Sequence, residues 1–217
     1  MSSPKEATEY RTQTLGEEIA SSISHGVGAL GSIAVTPFLI VNAIKSGAAA
    51  VVGASIFGAT MIILYTASTL YHAFPQSRTK RVFNILDHAA IFLLIAGTYT
   101  PFTLGVLRGA WGWSLFGVVW AIAIFGVVIK SVFGATSGKL STSLYLAMGW
   151  IAVVAIKPFW ENIPANGLIW LLAGGLMYSA GVIFFIAKRL RYAHFLWHLF
   201  VMAGTGCHVI AVMRYAN

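Results

Sequence analysis

Residues 166–187 read NGLIWLLAGGLMYSAGVIFFIA, a run without one charged side chain, bounded by Glu161 before it and Lys188 after it. A helix of this length, rising 1.5 Å per residue, crosses the roughly 30 Å hydrocarbon core of a bilayer. The run is too long and too continuously apolar to be one of the alternating, roughly ten-residue strands of a membrane barrel. Working outward from it, similar stretches fall near 140–160 and 192–215, and further off near 111–132, 83–107, 48–74 and 19–44. Between them they leave few residues for anything else. The whole chain of 217 residues is 58% hydrophobic and only 9% charged, with a mean hydropathy of +0.81. A soluble domain with that composition would lack the polar residues needed to cover its surface. The expected fold class is therefore all-α, an integral membrane bundle of seven transmembrane helices. Residues 1–18 are expected to form a short cytoplasmic segment and residues 19–217 a single transmembrane domain.

The formal charge of +8 would suggest nucleic acid in a soluble protein. Here the basic residues sit in short runs between apolar stretches, as in membrane loops, so no nucleic-acid partner is expected. With the N-terminus inside, Lys5, Arg11, Arg78, Lys80, Arg81, Lys130, Lys139, Lys188, Arg189 and Arg191 fall on the cytoplasmic side. Lys45, Arg108, Lys157 and Arg214 fall outside. The asymmetry favours a cytoplasmic N-terminus and an external C-terminus. Trp111, Trp113 and Trp160 then lie at the outer headgroup level. Residues 1–18 lack the basic start, apolar centre and cleavage site of a signal peptide, so the first span is expected to serve as its own insertion signal. Thr14 and Glu17 have the spacing of a capping box at the start of a helix. Cys207 is the only cysteine, which excludes an internal disulfide.

Ala20, Ser24, Gly28 and Ser32 recur every four residues and make a smooth stripe for close helix packing. Pro37 and Pro101 are expected to bend or locally break their helices. Ionisable groups inside a bilayer cost several kcal/mol near its centre, so each one asks for a partner or a function. Ser68 and His72 close the second span, Asp87 and His88 open the third, and His194 and His198 open the seventh. If successive spans alternate in direction, all of these lie at one depth on the cytoplasmic side.

His194 and His198 are four residues apart and project from one helical face, about 6 Å apart along the axis. Together with His72 they can fill three corners of a tetrahedron and leave the fourth to water, as in a catalytic zinc site. Asp87 could orient that water and accept its proton. The alternative is that these histidines are interfacial residues reaching towards water, with His72 merely capping its helix. His25, seven residues after Glu18, is expected to pair with that glutamate. His208 lies about 15 Å beyond His198 along the helix, too far to join the same metal.

The motifs GEEIASSISHGVGA (16–29), STLYHAFP (68–75), LDHAAIFLLIAGTYTPF (86–102) and HFLWHLFVMAGTGCHVIAV (194–212) resemble those of the hemolysin III family, bacterial relatives of the progestin and adipoQ receptors. The resemblance covers nearly the whole chain. It implies a seven-helix protein of the bacterial inner membrane with a zinc ion held by His72, His194 and His198 near the cytoplasmic surface. By the same resemblance Asp87 attends the zinc-bound water, and Ser68 stands at the family's second-helix serine. Alkaline ceramidases look like members of the wider superfamily, which implies zinc-dependent hydrolysis of lipid amides. The expected function is hydrolysis of a lipid amide or ester in membrane lipid homeostasis, with Asp87 as general base and Ser68 either supporting the groups around the metal or contacting the oxyanion. Two other functions stand beside this one: a sensor of membrane state with structural zinc, and a pore-forming cytolysin. Membrane lipids are the expected partners, self-association is compatible with the sequence, and no soluble protein partner is indicated.

Overall fold

The computed structural model describes residues 12–134 and 138–216, so most of the N-terminal segment expected at 1–18 lies outside the described residues. Within them the chain is helical and contains no strand. The helices are α1 (Leu15–Ala43), α2 (Ala48–Ala73), α3 (Arg78–Leu104), α4 (Ala110–Phe133), α5 (Gly138–Gly149), α6 (Ile156–Asn162), α7 (Ala165–Ile186) and α8 (Ala193–Tyr215). Helix α1 begins where its capping box predicts. The Glu17 carboxylate accepts from the Thr14 amide at 2.9 Å, and Thr14 Oγ1 accepts from the Glu17 amide at 3.4 Å.

Besides α1, which begins at Leu15 rather than near 19 and so takes in the end of the segment expected at 1–18, two boundaries differ from the sequence reading, each for a physical reason. Helix α3 begins at Arg78 rather than near 83, because Ser77 caps it by accepting from the Lys80 amide at 3.1 Å. The basic run RTKR is therefore the first turn of a helix and not a loop. The stretch expected as one span at 140–160 is broken. Among the described residues six helices are long and apolar enough to cross a bilayer, and a seventh crossing exists only if the two segments 140–153 and 156–162, bent by 52°, are counted together.

Pro158 sits in the first turn of α6, where it can donate no backbone hydrogen bond and its missing amide is tolerated, so it favours the start of a new helix there. Backbone groups freed inside a membrane need partners, and α3 supplies them through Tyr99. Its hydroxyl donates to the Gly149 carbonyl at 2.7 Å and accepts from the Ala152 amide at 3.0 Å. Pro37 and Pro101, by contrast, sit inside helices that continue past them.

Helix α1 packs against both α2 and α8, α2 against α3, α3 against α4, and α7 against α8, while α5 touches α3, α4 and α7. This closes a ring around an interior. Small residues permit the close approaches. A Cβ on Gly53 would lie 2.9 Å from the backbone of Pro101, and one on Gly28 would lie 2.9 Å from the Tyr65 ring. The outward face of α1 shows Leu15, Ile19, Ile23, Val27 and Leu30, all exposed, as expected of a surface that meets lipid rather than water. One end of the ring gathers the starts of α1, α3 and α8 and the finish of α2.

Candidate metal centre

His72 stands in the last turn of α2 and is 3% exposed. Its Nδ1 lies 2.7 Å from the Glu18 carboxylate of α1. A carboxylate only accepts, so Nδ1 carries a proton, and in the neutral ring Nε2 keeps a bare lone pair. That Nε2 is buried and has no hydrogen-bond partner. The other Glu18 oxygen meets Lys80 Nζ at 3.0 Å. Lys80 also donates to the carbonyls of Tyr71 and Phe74 at 3.0 and 3.1 Å. These carbonyls close α2, where a cation satisfies orphan acceptors and complements the helix dipole. Lys80 was counted among the loop charges of the sequence; its side chain is in fact buried and ties the α2–α3 turn to α1.

The second helix face comes from α8. Tyr192, just before it, adopts a left-handed backbone with φ of 57°. Its amide donates at 2.7 Å to Oε1 of Glu17, the same glutamate that closes the capping box. Two successive glutamates of α1 thus anchor two helices, Glu17 the start of α8 and Glu18 the end of α2. His198, 1% exposed, faces two acceptors. Its Nδ1 lies 3.1 Å from the Ser21 carbonyl and 3.2 Å from Ser24 Oγ, and that hydroxyl has already donated its own hydrogen to the Ser21 carbonyl. Nδ1 is again the protonated nitrogen, which leaves Nε2 as a base. The small-residue stripe of α1, expected to be only a packing surface, contributes Ser24 directly to this arrangement.

His72, His194 and His198 converge, with ligand atoms all within 4.8 Å of one another. Two of the three place a buried Nε2, those of His72 and His194, without a partner in the cluster. Nitrogens left bare in this way suit a metal ion, because each would otherwise cost the desolvation of an unsatisfied acceptor. Three neutral imidazoles are a donor set for a borderline cation rather than for calcium or magnesium. The side chains that hold the ring tautomers, Glu18 and the Ser21–Ser24 pair, complete the kind of hydrogen-bonded surround that metal-binding histidines have.

Asp87, 7% exposed, lies close enough to His72, His88 and the Ser68 hydroxyl to interact electrostatically with each. Ser68 is fully buried, and its Oγ makes no hydrogen bond of standard geometry. His88 is not among the converging ligands; its Nδ1 lies 2.8 Å from the Asn84 carbonyl and 3.8 Å from the Asp87 carboxylate. His208 lies further along α8, with Nε2 3.2 Å from the Leu171 carbonyl.

The sequence reading mispaired one residue. Glu18 was expected to meet His25 and instead holds His72, while His25 stacks on His198 with ring centroids 3.5 Å apart. The sevenfold spacing of Glu18 and His25 puts them on the same face of α1 but about 10 Å apart along it, which is too far for contact. His72 supplies the nearer partner from the neighbouring helix.

The cluster opens onto a cavity of about 590 Å³. Asp87, His194 and His198 line one end, and Phe159, Trp160 and Ala165 line the other. Its walls are almost wholly apolar, and its volume is in the range of small-molecule pockets. Replacing Glu18 by glutamine removes the anion that holds the His72 tautomer while keeping the side chain's size. Metal affinity is expected to fall about 10- to 100-fold, as read by titrating the purified protein against a competing chelator. Unchanged affinity would show that the Glu18–His72 contact does not tune a ligand.

Comparison with known proteins places the chain among recognisable relatives. The family described as Haemolysin-III related matches residues 13–209. The chain is 47% identical over 205 residues to Hemolysin-3 of Bacillus cereus, covering 94% of each protein. It is 43% identical over 203 residues to the Hemolysin-3 homolog of Bacillus subtilis (strain 168), covering 93% of this chain and 95% of the relative. Over 170 residues it is 28% identical to the human Monocyte to macrophage differentiation factor, covering 74% of this chain and 68% of the relative. No solved structure gives a significant match.

Proposed function

The chain belongs to the Haemolysin-III related family, and we propose that it is a zinc-dependent membrane hydrolase that cleaves lipid amides or esters and so adjusts the lipid composition of its own membrane. The observation that carries this is the meeting of two features at one point: three histidines with nitrogens held ready for a metal, and an apolar cavity that opens on them. A purely structural metal would need no such cavity beside it.

His72, His194 and His198 would hold the zinc, with Glu18, Ser21 and Ser24 keeping two of the rings turned towards it. Zinc supplies a Lewis acid that polarises a carbonyl and lets water ionise near neutral pH. The chain's own residues do the rest. The cavity walls take the hydrocarbon chain and exclude bulk water, which strengthens every polar contact at the cluster. Asp87, at the cavity end beside His72, accepts the proton of the attacking water and passes it to the leaving amine or alcohol. Ser68 Oγ, buried beside Asp87, would donate to the Asp87 carboxylate or to the carbonyl oxygen.

In the topology that the Lys and Arg distribution favours, the N-terminus is cytoplasmic and the cluster serves the inner leaflet of a bacterial inner membrane. The relatives' name speaks of haemolysis, but an apolar interior offers ions no path of polar groups. The test is release of fatty acid from a panel of long-chain N-acyl amides and acyl esters by purified, zinc-loaded protein in lipid nanodiscs. We expect turnover that disappears on chelation and returns with zinc. Protein that carries one zinc per chain and cleaves nothing in the panel would sink the proposal.

A further inference from the structure

The cavity that opens on the histidines is long as well as apolar. Along α7 its lining residues recur every three or four positions, from Phe185 through Val182, Gly175 and Leu168 to Ala165. One helical face therefore follows the cavity for about 30 Å, the depth of the bilayer's hydrocarbon core. Phe185 marks the head end, its ring 6.2 Å from that of His194. Phe102 and Phe159, both buried, stand at the far end with ring centroids 6.2 Å apart. Spread over that length of about 30 Å, a volume of about 590 Å³ is the bore of one hydrocarbon chain rather than of two.

Halfway along, the wall is a glycine that packing does not require. A Cβ on Gly167 of α7 would strike Ile163 and Tyr215, one on Gly174 the His208 ring, and one on Gly181 the side chains of Trp197 and Phe200. Each of these three glycines lets a neighbour approach. Gly175 is different, because the nearest atoms to a Cβ there belong to the Trp150 ring at 3.9 Å, which is ordinary contact. An alanine would fit, and glycine costs helix stability relative to alanine. What lies in front of Gly175 is the cavity. Trp150 meets it from the break in the fifth span and is held in place. Its Nε1 donates to Ser179 Oγ at 3.0 Å, and that hydroxyl donates to the Gly175 carbonyl at 2.8 Å. At this level the indole forms one part of the bore and the bare Cα of Gly175 another.

We propose that Gly175 is a specificity-determining residue: with Trp150 beside it, its missing side chain keeps the bore open at mid-depth, so that the site accepts long acyl chains. Gly175 lies ten residues from Phe185, about 15 Å along the helix. An extended hydrocarbon chain, a zigzag of bonds of about 1.5 Å, advances about 1.25 Å per carbon. With its head at the histidines, a chain of about 12 carbons ends at Gly175, and the whole cavity takes about 24. This assignment rests on the hydrolase reading for placing the head group at the cluster. It deepens that reading by naming the substrate as a lipid amide or ester whose acyl chain runs past the midplane of the bilayer.

The experiment measures binding of saturated fatty acids of 8 to 22 carbons to zinc-loaded protein in nanodiscs, by competition with radiolabelled decanoate, alongside zinc content and thermal unfolding. Each acid is compared between variant and wild type, so that its partition into the surrounding bilayer cancels. Gly175→Leu fills the bore and is expected to bind decanoate as the wild type does while losing about 10- to 100-fold in affinity for palmitate, the usual effect of extra methylenes in a filled space. Gly175→Ala should stay close to wild type. Leu168→Trp, seven residues further out, should keep palmitate and lose docosanoate, because the limit moves with the position of the added bulk. If Gly175→Leu does not fold, Gly175→Val makes the same comparison with a smaller side chain. An unchanged length profile in the filled variant would overturn the assignment and leave the hydrolase reading standing. Equal loss at every chain length, with zinc retained, would also overturn it, since Gly175 would then only support the fold. A length limit that follows the substitutions in protein that cleaves no acyl amide or ester would keep the gauge and remove the hydrolase.

Discussion

Replacing His198 with alanine is expected to remove bound zinc altogether and with it all hydrolysis. His198 is the most deeply buried of the three converging histidines, and two hydrogen bonds on Nδ1 hold its ring in place. Without it only His72 and His194 remain, with ring centroids 5.0 Å apart, one short of the three protein ligands that a catalytic zinc site keeps. The measurement is elemental zinc per chain, paired with unfolding temperature with and without added zinc. A ligand at a thousand times its dissociation constant stabilises the folded state by about 4 kcal/mol, so the wild type should shift upward on zinc addition and His198→Ala should not. His88→Ala is the matched control. Its ring is bound to the Asn84 carbonyl outside the cluster, so that variant should keep its metal. One equivalent of zinc surviving in His198→Ala would mean that the metal is held elsewhere, and the three-histidine centre would have to be abandoned.

Asp87→Asn carries the second large effect, and it separates chemistry from structure. The substitution preserves size and most hydrogen-bonding capacity but removes the base. Since Asp87 is not among the converging ligands, zinc content should stay at one equivalent. Hydrolysis should fall about 100- to 10,000-fold, the usual contribution of a positioned general base. Stopped assays of fatty-acid release, with zinc measured on the same samples, decide the matter. If Asp87→Asn retained both metal and function, the zinc would be structural and the protein a sensor or regulator of the membrane. If it lost the metal, Asp87 would itself belong among the ligands.

These expectations draw on residues whose legibility in the sequence differed sharply. His194 and His198 could be placed on one face because a helix repeats every 3.6 residues, and His72 and Asp87 could be placed at their depth because consecutive spans reverse direction. Such inferences need only the rise and turn of each helix. The start of α1 was equally readable, since a capping box is a contact between residues three apart. The start of α3 at Arg78 was not read, although Ser77 is a good cap, because the basic run after it looked like a loop. The break in the fifth span had a visible signal in Pro158. What the sequence could not show was that Tyr99 of α3 would bond the backbone groups that the break sets free.

Glu18 illustrates the limit most clearly. Its sequence neighbourhood offered His25, on the same face of the same helix, and the folded bundle gave it His72 and Lys80 instead. Periodicity and hydropathy, by themselves, determined that this is a helical membrane protein and which histidines stand at which level, because those properties are local to each helix. Which way each helix turns about its own axis was decided only when α1 packed between α2 and α8. That rotation put Glu18 behind His72, Ser24 behind His198 and His25 flat against the cluster, and it opened the apolar cavity in front of them, because contacts between helices depend on the side chains of both.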